Sequence, residues 1–358
     1  LQSIHSSREI RDSFDRMIVL KKEIGAEFTE DELTSELILH ANYARLVNTE
    51  ENLLVFHTMQ LIKESFSHME SVEGKNVVLF LGESGGGKSS SINHYLGIKL
   101  KYKKNDYGLQ ILEIKEPEKY KDIPHAKIGQ LLGTSETLRV HGYKIIDTFL
   151  SDGQKTSLKK FIKDYDNFVL GDCPGSKDSR GIDYRLATTL SIDQSIKKSK
   201  AIKAIVLTIP FYSFILAKGD PIIELFDYVQ DLLPNFYNNK DLTESLFLLV
   251  TKHHIDPHAE ANIGSLLDGY LSEEKTQLTL LMQNKVSDNQ LAIALSKKKI
   301  FIWTTLIAMR DSNRIDFIDI KNPIKRIKML NKISECPDIP KDMFSKLMNR
   351  EYIQRNFS

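Results

Sequence analysis

The most chemically specific stretch of this chain is Gly82-Glu83-Ser84-Gly85-Gly86-Gly87-Lys88-Ser89, which matches the pattern G-x-x-x-x-G-K-[ST]. Residues of these types at this spacing can hold phosphate. Glycines let the backbone curl until successive N–H groups converge on anionic oxygens, and a helix starting at the lysine adds partial positive charge. Lys88 is expected to bridge the β- and γ-phosphates of a nucleotide and the Ser89 hydroxyl to ligand Mg²⁺. Glu83, Ser84, Gly85, Gly86, Gly87 and Ser90 complete the cradle. A second cluster, Asp172-Cys173-Pro174-Gly175, offers a carboxylate for Mg²⁺ and, at Gly175, an N–H for the terminal phosphate. Alone it is an ordinary turn; downstream of a phosphate loop it becomes the metal side of the same site.

The elements that must position these residues follow from hydrophobic patterning. Val77-Val78-Leu79-Phe80-Leu81 is a continuous apolar run directly before Gly82, as expected of a strand buried on both faces of a parallel sheet. Similar runs at Ile145-Ile146, Phe168-Val169-Leu170, Ala204 to Leu207, Leu246 to Val250 and Ile300 to Trp303 predict further strands. Segments such as Ser89 to Leu96, Ile222 to Leu233 and Thr276 to Ser296 are long enough for crossover helices. Alternation of this kind implies a three-layer α/β domain over residues 73–312. Residues 1–72 carry apolar positions at helical spacing and predict a helical region, and residues 313–358 predict a C-terminal helical extension.

Basic and acidic side chains nearly cancel in the 358 residues, at a net charge of +1, so composition gives no overall case for nucleic acid or membrane as a partner. The two cysteines, Cys173 and Cys336, lie far apart and suggest neither a disulfide framework nor a paired metal motif, which points to a reducing, intracellular, cytoplasmic setting. The chain opens Leu1-Gln2-Ser3 without an initiator Met and is expected to be a fragment of a longer protein, with any targeting signal outside it. The basic stretch Lys99, Lys101, Lys103 and Lys104, with Tyr102 and Tyr107, predicts a solvated surface insertion.

The phosphate loop, its continuation Ser90-Ser91-Ile92-Asn93 and the downstream Asp-Cys-Pro-Gly together resemble the septin and dynamin-septin-like branch of the translation-factor-related P-loop GTPases. The resemblance covers roughly residues 74 to 310. It implies a P-loop NTPase domain with a mainly parallel six-stranded sheet, GTP or GDP with Mg²⁺ as ligands, and slow hydrolysis. It also implies a homodimer across the nucleotide face. Other protein partners are expected through the helical flanks. By the same resemblance a switch threonine, Thr137 or else Thr134, approaches Mg²⁺ and assists catalysis beside Lys88.

The base-reading motif departs from that family. Thr251-Lys252 is present, but His254 stands where Asp is expected, and a neutral His presents one acceptor where the guanine edge needs two. Asp256 comes two residues late, so guanine preference over ATP rests on the resemblance. Thr304, and beside it Thr305, occupies the place where relatives offer a backbone N–H to the base. No water-positioning glutamine follows Gly175, and Arg139 and Arg180 are read first as surface arginines. The leading expectation is a GTP-binding switch; an ATP-dependent enzyme and a pseudo-GTPase scaffold are the alternatives.

Overall fold

The computed structural model describes residues 61, 69–104, 110–128, 139–145, 151–162, 164–175, 182–234, 236–252, 258–283, 290–320 and 323–344. Eight strands are assigned among them: β1 (Asn76–Leu81), β2 (Leu100–Lys104), β3 (Gln110–Ile114), β4 (His141–Lys144), β5 (Phe168–Asp172), β6 (Ala201–Pro210), β7 (Leu246–Thr251) and β8 (Ile315–Phe317). The helices are α1 (Lys88–Leu96), α2 (Asp152–Phe161), α3 (Ile182–Lys198), α4 (Asp220–Leu232), α5 (Lys240–Glu244), α6 (Ala259–Gln283), α7 (Gln290–Asp311) and α8 (Pro323–Glu335).

Six strands form one sheet in the order β4-β5-β1-β6-β7-β8, in which every neighbouring pair is parallel except β4 with β5. Every residue of β1 is buried, because its alternate side chains feed two separate cores. Val77, Leu79 and Leu81 join the core covered by α3, α4, α6 and α7; Val78 and Phe80 join the core covered by α1, α2 and α8. Helices therefore cover both faces of the sheet, and the mixed, mostly parallel α/β architecture expected from patterning is what forms.

Three expectations need correction. Residues Ile300 to Trp303 are not a strand but part of α7, where Ile302, Trp303, Leu306 and Met309 make one buried face at helical spacing. A short apolar run cannot by itself distinguish the two, since a buried helix stripe and a buried strand both present consecutive large side chains. The sixth strand of the sheet is instead β8, three residues long and paired with β7. It lies past residue 312, and α8 behind it contributes Ile327, Leu330 and Ile333 to a core, so the stretch expected to be a helical extension completes the sheet. The strand expected at Ile145-Ile146 ends earlier, at Lys144, and Ile146 lies outside the described residues.

Other placements refine the reading. The segment Thr276 to Ser296 belongs to two helices, α6 and α7, of which α6 ends at Gln283 and α7 starts at Gln290. The basic stretch after α1 is a strand of a two-stranded antiparallel ribbon, in which Glu113 on β3 bridges Lys101 at 2.8 Å and Lys103 at 3.1 Å on β2. Apart from Leu61 and residues 69–72, the predicted N-terminal helical region lies outside the described residues. Among the described residues no helix is long and apolar enough to cross a membrane.

The C-terminal strand and helix hold α1 in place. The Tyr95 hydroxyl donates to Asp316 Oδ2 on β8 at 2.7 Å, and Arg326 Nη1 on α8 donates to the His94 carbonyl at 3.2 Å. Burial, with the Arg326 charge beside it, lowers the His94 imidazole to about 4, so that side chain is neutral at physiological pH. Tyr95→Phe removes the donor to Asp316 while keeping the ring in the core. It should destabilise the fold by about 1 kcal/mol in a urea titration, the usual cost of leaving a part-buried acceptor short of one partner.

Candidate functional site

The carboxyl ends of β1, β5, β6 and β7 converge, which is where open parallel sheets place their ligand sites. From β1 the chain turns through residues 82–87 into α1. The turn needs glycine at its start: Gly82 has φ 155°, and a side chain there would place Cβ 2.3 Å from the Thr208 carbonyl oxygen of the neighbouring β6. Gly87 is the N-cap of α1 in a left-handed conformation, and no side chain caps that helix end. An uncapped helix start with its amide groups at the mouth of a loop favours a bound anion.

Lys88 folds back over its own loop. Its ammonium donates to the Gly82 carbonyl at 3.0 Å and the Glu83 carbonyl at 2.9 Å, and it is only 7% exposed. Next to it, Ser89 Oγ donates to Asp172 Oδ2 at 2.8 Å, joining the start of α1 to the end of β5. Asp172 Oδ1 is buried and has no hydrogen-bond partner among the described residues. Burial pushes the Asp172 carboxyl up to about 6, against the opposing pulls of the Lys88 charge and the Ser89 hydrogen bond.

From β7, Thr251 Oγ1 donates to the Gly86 carbonyl at 2.7 Å, so the strand end expected to read the base also braces the phosphate loop. Lys252 follows with φ 53°, its ammonium 5.8 Å from the centre of the Tyr212 ring. Burial lowers the Lys252 pKa, and the Glu83 carboxylate opposes that shift. On the β5 side, Gly175 lies directly against Ser84: a Cβ at Gly175 would sit 2.2 Å from Ser84 Oγ. The Cys173 thiol is fully buried, and burial pushes its pKa up, which suits a packed side chain and not a reactive thiolate.

Of the residues proposed from sequence, the structure gathers Glu83, Ser84, Gly85, Gly86, Gly87, Lys88, Ser89, Asp172, Gly175, Thr251 and Lys252 around one loop, with Ser90 in the first turn of α1. Thr134, Thr137, Arg180, His254 and Asp256 lie outside the described residues. Thr304 does not end a strand: it is exposed within α7, while its neighbour Thr305 is buried there. The base contact expected at a sixth strand end therefore has no basis at Thr304. Two participants carried no sequence signal. The Thr208 backbone passes so close to the loop that Gly82 has no room for a side chain, and Tyr212 meets Lys252 only because β6 and β7 are neighbours.

No protein-family model matches the chain, and no curated protein matches it.

Ionised Asp172 is a measurable burden on the ligand-free fold. Its folded value of about 6 lies above the ordinary 3.8, so the folded state holds the proton more tightly than the unfolded chain. The stabilisation is complete below about pH 4 and is lost as pH rises through about 6, a difference of about 3 kcal/mol. Asp172→Asn, which stays neutral, should be the more stable form at pH 7.5 in the absence of ligand, and its denaturation midpoint should vary less between pH 4 and 7 than that of the parent.

Proposed function

We propose that this chain is a P-loop protein that binds a guanine nucleotide with Mg²⁺ and acts as a switch with slow intrinsic hydrolysis. The observation that carries the reading is the pairing of Ser89 with Asp172 beside Lys88, at the mouth of a glycine loop that joins a buried strand to a helix. The sheet order, with β1 between β5 and β6 and an antiparallel β4 at one edge, supports it as well.

The donor set suits a hard divalent cation. Ser89 and Asp172 offer oxygen ligands side by side, and Asp172 Oδ1 is a buried acceptor in need of a positive partner. Among the described residues no cluster of His, Cys, Asp and Glu competes as a metal site. Mg²⁺ bound there would offset charge on the phosphate oxygens. Lys88 and the start of α1 would hold the phosphates, and Thr251 holds the loop in its curled form by donating its hydroxyl to the Gly86 carbonyl. Lys252, at the end of β7, would flank the base with its aliphatic stem.

Slow turnover is the natural companion of this set. Ser176-Lys177-Asp178-Ser179-Arg180-Gly181 after Gly175 contains no glutamine to orient water, and Thr137, or else Thr134, is the candidate to assist Lys88. Pairing of two copies across the nucleotide face, and other partners through the helical flanks, belong to the same proposal.

Titration calorimetry with Mg²⁺ and GTPγS, then ATPγS, tests the reading. Tight binding of the guanine analogue alone is the expected result; preference for the adenine analogue would assign the site to an ATP-dependent enzyme, and binding of neither would overturn it. Lys88→Ala should weaken GTPγS by roughly 100-fold or more, since a charge-assisted contact to phosphate is lost. Removing Mg²⁺ with EDTA should weaken GTPγS in the parent far more than in Asp172→Asn.

A further inference from the structure

Among the described residues, the exposed large apolar side chains fall into two groups. Tyr212, Ile215 and Leu216 follow β6, and Leu280, Met282, Leu291 and Leu295 crowd the turn between α6 and α7. The first group sits by the mouth of the site, where Tyr212 meets Lys252. The second lies on a different part of the molecule and holds the most exposed of the seven, Leu291 at 83%. Single exposed apolar residues are ordinary on a protein surface, whereas a cluster of them marks a contact.

The base of the α6–α7 hairpin is firmly held. Tyr270 lies over Trp303 with ring centres 5.0 Å apart, Glu274 bridges Lys299 at 3.2 Å, and Glu273 bridges Lys218 at 2.8 Å. These pairings run the two helices antiparallel. Glu274 is the last buried residue of α6 and Ser296 the first of α7, so residues 275–283 and 290–295 rise clear of the core. At 1.5 Å per residue that end projects by about 13 Å. Composition changes at the same height: residues 276–283 and 290–296 hold no charged side chain, and Lys275 and Lys297 border them. A helix surface facing only water would be polar there.

We infer that the projecting end of this hairpin is the surface through which two copies of the chain associate, side by side, as a cluster of four helices. Neutrality selects that occupant. In a two-fold contact each group near the axis meets its own kind, so a charge would face a like charge, while an uncharged apolar patch meets itself without that cost. Interfaces between identical subunits are also more apolar than those with transient partners. A lipid surface fits worse, because the connection between the helices carries Asn284, Lys285, Asp288 and Asn289, which would enter the bilayer first. Side-by-side packing asks nothing of them. Two helices per copy over so short a length make a small interface, so the association is reversible, with a Kd in roughly the micromolar range. The residues that brace the phosphate loop, Asp172 and Thr251, lie outside the hairpin, so this contact is independent of nucleotide.

Sedimentation velocity of the whole chain in EDTA, without nucleotide, over about 1 to 200 μM tests the inference. The average mass should climb towards that of two chains as concentration rises, and adding Mg²⁺ with GTPγS should leave the curve unchanged. A chain with Leu280→Glu and Leu291→Glu should associate at least about tenfold more weakly, as should one with Leu280→Lys and Leu291→Lys. Mixing the two should restore association, because opposite charges then meet across the contact. Leu291→Ser, a milder change at an exposed site, should weaken association without lowering the melting temperature of the dilute chain, which keeps the idea testable should the charged variants fold poorly. A parent that stays monomeric throughout overturns the inference, and its binding to anionic phospholipid vesicles, lost in the glutamate variant, would assign the hairpin to a lipid surface. Association that survives in both charged variants, or that appears only with GTPγS, overturns it as well, and leaves the nucleotide reading untouched.

Discussion

Two opposite charges held almost out of water, Lys88 at 7% and Asp172 at 2% exposure, set the terms for everything around the loop. A buried charge is tolerable only when hydrogen bonds replace its hydration. Lys88 meets that demand with the carbonyls of Gly82 and Glu83, which obliges the backbone to curl around it. Asp172 meets it by half: one oxygen accepts from Ser89, and the other has no partner. The loop is thus satisfied at its cationic centre and short of positive charge at its anionic edge. That asymmetry is what the proposed Mg²⁺ would offset.

The scaffold exists to keep those groups at hydrogen-bonding distance. β1 sits between β5 and β6, so the loop that leaves it has Asp172 on one side and Thr208 on the other. One strand further, Thr251 at the end of β7 reaches back to Gly86. Three strands therefore fix one loop, each through a different kind of contact: a carboxylate, a close backbone approach and a hydroxyl. The loop's helix is fixed at its far end, by Tyr95 to Asp316 and by Arg326 to the His94 carbonyl. A change at the C-terminal strand or at α8 consequently bears on α1, although neither touches the loop.

Stability and the proposed cation binding pull in different directions at Asp172. Burial raises its carboxyl to about 6, so at neutral pH the fold carries an ionised group that it would hold more easily as the neutral acid. Sites kept for ligands commonly retain such groups at the expense of the empty fold. Cys173, next in the chain, shows the contrast: a small buried thiol that burial keeps protonated adds packing and no charge.

By itself the sequence determined the parts whose physics is local. The run Val77 to Leu81 before Gly82, the glycines and Lys88-Ser89 announce a buried strand, a turn and a helix start, because each depends on neighbours in the chain. β5, β6 and β7 were legible as apolar runs of three to five residues, and α1 and α4 as segments between. Only the tertiary structure decided what depends on neighbours in space. Ile300 to Trp303 became helix because Trp303, Leu306 and Met309 share one face against the core, and the sheet closed instead with Ile315–Phe317, whose brevity hides it from any pattern. Strand order brought Thr208 and Tyr212 to the site. The buried atoms around the loop that have no hydrogen-bond partner among the described residues, Ser84 Oγ, Asp172 Oδ1 and Thr208 Oγ1, follow from burial, which is a property of the folded chain and of no residue in it.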